Sequence, residues 1–148
     1  MLLWQVTRQR LSSTGKGSKS MTKVLQLIYN WGKGGFESYA ATLVEKLHNK
    51  ECEFYIAYSE RVPMPELVDT LKLRTFCIPM RSPYDLSAAR KVAKLCRELS
   101  IDTVHTHFIR ERYVSAFSRF FGNKARLVYT SHVVFDKTRL LKFTNRIV

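Results

Sequence analysis

The sequence predicts a doubly wound α/β fold, a Rossmann-like parallel sheet with flanking helices, and three observations predict it. Apolar runs of five or six residues recur between positions 24 and 131, with helix-period patterning in between. The intervening helices are long enough to carry each strand back beside the last in parallel, by right-handed crossovers. The chain has 148 residues, 45% hydrophobic and 12% aromatic, which is enough for one buried core.

Taken in order, Val24-Leu25-Gln26-Leu27-Ile28-Tyr29 reads as a buried strand, broken by Gly32, Gly34 and Gly35. Phe36 to His48 is a helix, because Tyr39, Ala40, Leu43, Val44 and Leu47 share one face. Phe54 to Tyr58 is a second strand. Pro63 and Pro65 mark a loop before a short helix, Glu66 to Lys72, and Arg74 to Ile78 is a third strand stopped by Pro79. Asp85 is placed to N-cap a helix through Leu99 that turns Leu86, Ala89, Val92, Ala93 and Cys96 inward. Thr103 to His107 is a fourth strand, Arg112 to Phe121 a helix closed by Gly122, and Leu127 to Ser131 a fifth strand. A further helical pattern runs over Thr138 to Val148.

Composition excludes several classes. An eight-stranded α/β barrel typically needs about 250 residues. No apolar stretch approaches the ~18–20 residues that span a bilayer. Cys52, Cys77 and Cys96 are odd in number and contain no CxxC pair, which argues against a disulfide framework or a cysteine zinc site and for a reducing, cytoplasmic setting. All three are expected to be small buried hydrophobes.

The net charge of +13 suggests nucleic acid or an anionic membrane until it is located. Residues 1–20 carry +4 with no acid; residues 21–109 carry 12 basic and 10 acidic groups; residues 110–148 carry 9 basic groups against Glu111 and Asp136. The body is therefore nearly neutral. Residues 1–20 read as a disordered basic leader or a mis-assigned start, with Met21 resembling a natural initiator; an organelle transit peptide stays open. Gly15 to Ser20 fails the spacing of a phosphate loop and has no strand before it.

In such sheets ligands bind beyond the carboxyl ends of the strands. Three clusters lie there. Asn30-Trp31-Gly32-Lys33-Gly34-Gly35-Phe36-Glu37 joins strand one to helix one, where glycines admit close backbone approach and a helix N-terminus attracts phosphate or sugar oxygens. It is not G-x-G-x-x-G, so a nicotinamide site is weakly supported; a turn needed only for packing is the alternative. His105 and His107 end strand four on one face, opposite Thr106, either as ligands or as hydrogen-bonded structural residues. His132 ends strand five, where a neutral imidazole could accept a hydroxyl proton.

In this order, Gly34-Gly35-Phe36-Glu37, Asp85-Leu86, Asp102-Thr103-Val104-His105-Thr106-His107 and Tyr129-Thr130-Ser131-His132 resemble the N-terminal half of a retaining family 4 glycosyltransferase of GT-B architecture. The resemblance covers roughly residues 22–148 and gives 21–148 as the acceptor-side domain. It implies that Gly34 and Gly35 approach the donor diphosphate or the acceptor, with Glu37 beside them. It implies that His132 is the catalytic-site histidine at the donor sugar, and that His105 and His107 line the acceptor side. It further implies a nucleotide-sugar donor, a glycan or lipid-linked acceptor, and no cofactor or catalytic metal. Such enzymes hold the nucleotide in a second Rossmann-like domain that nothing in this sequence matches, so a separately encoded C-terminal half is one expectation. The chain alone is expected to have negligible transferase activity.

Two other readings stand beside it. The first is a small basic binding protein for nucleic acid or an anionic membrane, supported by Phe108, Tyr113, Phe117, Phe120, Phe121, Tyr129 and Phe143 among the terminal basic residues; helical spacing assigns Tyr113, Phe117 and Phe120 to the core instead. Lys137, Arg139, Lys142 and Arg146 with Leu140, Leu141, Phe143 and Ile147 would suit an interfacial helix at the inner face of a membrane, or one packed on another domain. The second is a metal hydrolase built on His105, His107 and His132.

Overall fold

Strands and helices alternate along the described residues, 20–31 and 35–132, of the computed structural model. In order they are β1 (Thr22–Ile28), α1 (Gly35–Leu47), β2 (Cys52–Tyr58), α2 (Pro65–Leu71), β3 (Arg74–Cys77), α3 (Leu86–Glu98), β4 (Thr103–Thr106), α4 (Ile109–Phe117), a 3-10 turn (Ser118–Phe121) and β5 (Arg126–Tyr129). The strands form one sheet, ordered β3-β2-β1-β4-β5, and every pairing is parallel. The fold class is the one the sequence predicts. The leader, Gly34 and the pattern over 138–148 lie outside the described residues.

The central strand explains its own composition. Val24 to Ile28 is buried without alternation, as a parallel strand covered on both faces must be. Leu25 and Leu27 pack against Ala88, Ala89 and Val92 of α3 and Val114 of α4. Val24 and Ile28 pack against Phe36, Ala40 and Val44 of α1. Each such aliphatic side chain contributes about 1.5–3 kcal/mol by leaving water. The start of β1 is tied to β4 by Asp102, whose carboxylate accepts the Lys23 N–H at 2.9 Å while its own N–H donates to the Lys23 carbonyl at 3.0 Å.

Helix α3 begins where predicted. Asp85 Oδ1 accepts the Ala88 N–H and Oδ2 the Arg81 N–H, each at 3.0 Å, and these bonds hold its carboxyl below the usual range. Leu86, expected inward, is instead 54% exposed at the first helical position, on the outer side of the turn that Asp85 caps. Helix α4 starts at Ile109, three residues before the predicted Arg112, because the Glu111 carboxylate reaches back to cap it. The charged run Arg110-Glu111-Arg112 conceals that turn from any hydrophobic pattern. Its end tightens into the 3-10 turn, which Gly122 closes at φ 85, as a residue without a Cβ readily does.

Two further burial expectations fail. Phe120 is 81% exposed, since the tightened turn rotates it off the core face. Cys77 is exposed at the end of edge strand β3, whereas Cys52 and Cys96 are buried; all three are free thiols.

The topology creates one crevice. After β1 the chain enters α1, which packs with α2 on one face; after β4 it enters α4, which packs with α3 on the other. β1 and β4 are neighbours, so their carboxyl ends flank the switch point at which such sheets bind ligands.

Candidate functional site

The two-residue period of adjacent strands assembles a polar cluster there. Gln26 of β1 pairs in register with His105 of β4, and His105 with Val128 of β5. Side chains two apart share a face, so His107, Thr130 and His132 follow on the α1 side of the sheet. Beneath α1 these groups form two hydrogen-bonded units. His105 Nε2 lies 2.8 Å from Thr130 Oγ1. His107 bridges Gln26 and His132, with Nε2 2.8 Å from Gln26 Oε1 and Nδ1 3.1 Å from His132 Nε2.

Aromatic rings enclose the cluster. Phe36, in the first turn of α1, has its ring centroid 4.7 Å from that of His107, 5.3 Å from His132 and 4.9 Å from Phe108. Tyr39 stands edge-on to His132 at 5.3 Å. Burial in this setting disfavours charge. It holds His105 down to about 4, with His132 adding to the effect, and His107 down to about 2, with His105 and His132 adding. Burial also lowers His132, against the pull of the Glu37 carboxylate. In all three rings burial favours the neutral form.

Glu111 supports the crevice from below. It is completely buried, and its carboxylate accepts the backbone N–H of Tyr29 just past β1, and those of His107 and Phe108 just past β4, the last two at 2.9 Å. Burial raises its pKa to about 7 against the lowering effect of those three donors. Arg110 completes the rim: its guanidinium lies 3.8 Å from the Tyr29 ring centroid and donates to the Met80 carbonyl at 3.0 Å.

Between these groups lies a cleft of about 340 Å³, lined by His107, Phe108, Arg110, Tyr129 and His132 among others. A larger concavity of about 730 Å³ opens at the other end of the sheet, near Asp102 and Arg126, away from these side chains. Two of its cations are committed to the fold, Arg97 to the Phe121 carbonyl and Arg119 to the Ala125 carbonyl.

The structure therefore brings together His105, His107 and His132, with Glu37 near the last. His105 and His107 are 2% and 1% exposed, so neither meets the cleft with more than an edge, while His132 is half-buried. Gly35 opens α1 with space above it, since a Cβ there would meet nothing within 4 Å. Gly34 lies outside the described residues. Sequence reasoning missed Gln26, Thr130 and Glu111. A polar Gln inside an apolar strand and a Glu three residues after Phe108 were the available signals. Among the described residues no group of three His, Cys, Asp or Glu side chains is arranged to hold a metal.

A five-stranded parallel sheet in 3-2-1-4-5 order with a polar crevice at its switch point defines a Rossmann-like α/β domain whose ligand site lies beyond the carboxyl ends of its strands. The sequence profile described as Glycosyltransferase Family 4 matches residues 33–148, and the chain belongs to that family, as its N-terminal domain. A curated relative from Campylobacter jejuni, N-acetylgalactosamine-N,N'-diacetylbacillosaminyl-diphospho-undecaprenol 4-alpha-N-acetylgalactosaminyltransferase, is 29% identical over 147 aligned positions, covering 85% of this chain and 37% of the relative. A glycosyltransferase structure from Rickettsia africae matches with a TM-score of 0.67 at 18% identity, over 84% of this chain and 33% of that one. The Acinetobacter baumannii MurG structure matches at 0.60 and 12% identity, over 84% and 39%. At such identities the structures speak for the fold. The chain spans little more than a third of the curated relative.

Proposed function

We propose that residues 21–148 form the acceptor-side domain of a GT-B enzyme that moves a sugar from a nucleotide-sugar to a glycan or lipid-linked acceptor with retention. The observation that carries this reading is the position of His132. It stands at the switch-point end of the sheet, within ring contact of Phe36 directly behind the glycine loop, and is backed by His107. There a neutral imidazole meets the donor sugar near the reacting carbon. Gly34 and Gly35 give the diphosphate or acceptor access to the backbone and to the N-terminus of α1, and Glu37 sits where a sugar hydroxyl would arrive. His105 and His107, being buried, act on the acceptor side through Thr130 and His132. The family membership and the polyprenyl-diphosphate-linked glycan in the name of the Campylobacter relative support this substrate class.

The described residues form one wall of a cleft, and catalysis requires a second domain to bind the nucleotide and neutralise the leaving diphosphate. The chain alone, offered nucleotide-sugars and polyprenyl-diphosphate-linked glycans, should give no measurable transfer; turnover would overturn the half-site reading. The same acceptors should perturb the NMR signals of Phe108, Tyr129 and His132, which line the cleft, and an unperturbed cleft would overturn the acceptor-side assignment.

One surface favours a peripheral, inner-face membrane contact. Phe120, 81% exposed, stacks on Phe117 at 6.2 Å, Tyr84, 66% exposed, lies tilted against Tyr113 at 5.7 Å, and the Arg90 guanidinium lies over the nearby Phe121 ring at 5.0 Å. Among the described residues no helix is long and apolar enough to cross a membrane. Co-flotation with vesicles should require anionic lipid and fail for Phe120→Ser; binding without charge dependence would remove this reading.

A further inference from the structure

We infer that Gln26, acting through His107, sets the tautomer of His132, so that His132 presents a bare Nδ1, a hydrogen-bond acceptor, to the hydroxyl-bearing ligand of the cleft. This rests on the reading that His132 meets a sugar. It makes Gln26 a positioning residue in a strand otherwise built for packing.

Gln26 is fully buried between Leu25 and Leu27 in the middle of β1. Its Oε1 faces His107 Nε2 at 2.8 Å, and an amide oxygen only accepts, so Nε2 carries the ring hydrogen. A neutral imidazole has one such hydrogen, which leaves His107 Nδ1 a lone pair. That lone pair faces His132 Nε2 at 3.1 Å, and two lone pairs do not make a bond, so His132 Nε2 carries the hydrogen of its own ring. Its second nitrogen is then an acceptor. The depressed basicity of all three rings fits one hydrogen per ring.

The arrangement has a cost that a purely structural residue would avoid: among the described residues the buried Gln26 Nε2 has no hydrogen-bond partner. Turning the amide over would reverse every proton in the row and make His132 a donor. The orientation of one buried amide therefore decides whether the cleft accepts or donates at this point: an accepting nitrogen takes a ligand hydroxyl and refuses a carbonyl or ether oxygen, which has no hydrogen to give.

The test is side-chain nitrogen NMR of the three histidines in the full 148-residue chain at pH 7.5. His107 and His132 should both show a protonated Nε2 and a lone-pair Nδ1; a protonated Nδ1 in either overturns the proposal. In Gln26→Leu, His107 and His132 should lose their single-tautomer pattern while His105, held by Thr130, keeps its own. An unchanged His132 overturns the relay. Should Gln26→Leu fail to fold, Gln26→Glu serves instead: a carboxylate in that place should raise the proton affinity of His107 at least tenfold, and an unmoved titration overturns the contact. No sugar enters the experiment, so its failure is distinct from failure of the transferase reading.

Discussion

The side chain of Glu111 accepts the backbone N–H of Tyr29 across 82 residues of sequence, joining the first turn of α4 to the end of β1. The same carboxylate holds the N–H groups of His107 and Phe108, so one buried acid fixes the ends of both strands that flank the crevice. Glu111→Ala would leave three N–H groups without their acceptor. It should cost roughly 3–5 kcal/mol in urea denaturation, and Glu111→Gln less, because the amide oxygen still accepts.

Acid should unfold the domain earlier than its carboxylates alone require. His105 has a folded-state pKa of about 4 against an ordinary 6.5, so the unfolded chain binds the extra proton. Its contribution is complete above pH 6.5 and is lost as pH falls toward 4, on the order of 3 kcal/mol. His107 acts in the same direction, over a window reaching lower still. His105→Gln, which does not titrate, should flatten the acid limb of a plot of urea midpoint against pH.

Removing the cap of α3 should have a modest and local effect. Asp85→Ala loses the acceptor for Ala88 and Arg81 and should cost about 1 kcal/mol. Because the Asp85 carboxyl titrates low, that difference should persist at neutral pH and shrink as pH falls through the carboxylate range, measurable as converging denaturation midpoints.

The three thiols should react unequally. Cys77 is exposed, whereas burial raises the Cys52 pKa and pushes Cys96 up to about 12. A thiol reagent at pH 8 should modify one cysteine rapidly in the folded chain and all three in denaturant. Cys77→Ser should abolish the fast phase.

The strands and most helix limits were legible in the residues themselves. Burial on both faces demands the unbroken apolar run of Val24 to Ile28, and Asp85 caps because its side chain meets N–H groups only three and four residues away. Such effects are local or periodic, and sequence carries them directly. The side-by-side placement of His105 and His107 was equally legible, because strand period alone sets it.

What only the tertiary structure decided depends on contacts between distant segments. The Glu111–Tyr29 bond ties the start of α4 to the end of β1, and no pattern within 109–121 announces that partner. The Gln26–His107–His132 row needed three strands in register, and register across β1, β4 and β5 is a property of the assembled sheet. The exposure of Phe120 and Cys77 followed from a tightened turn and an edge position. Sequence by itself determined which segments fold and which faces they bury; the packed sheet determined which polar groups meet, because hydrogen bonds form between neighbours in space.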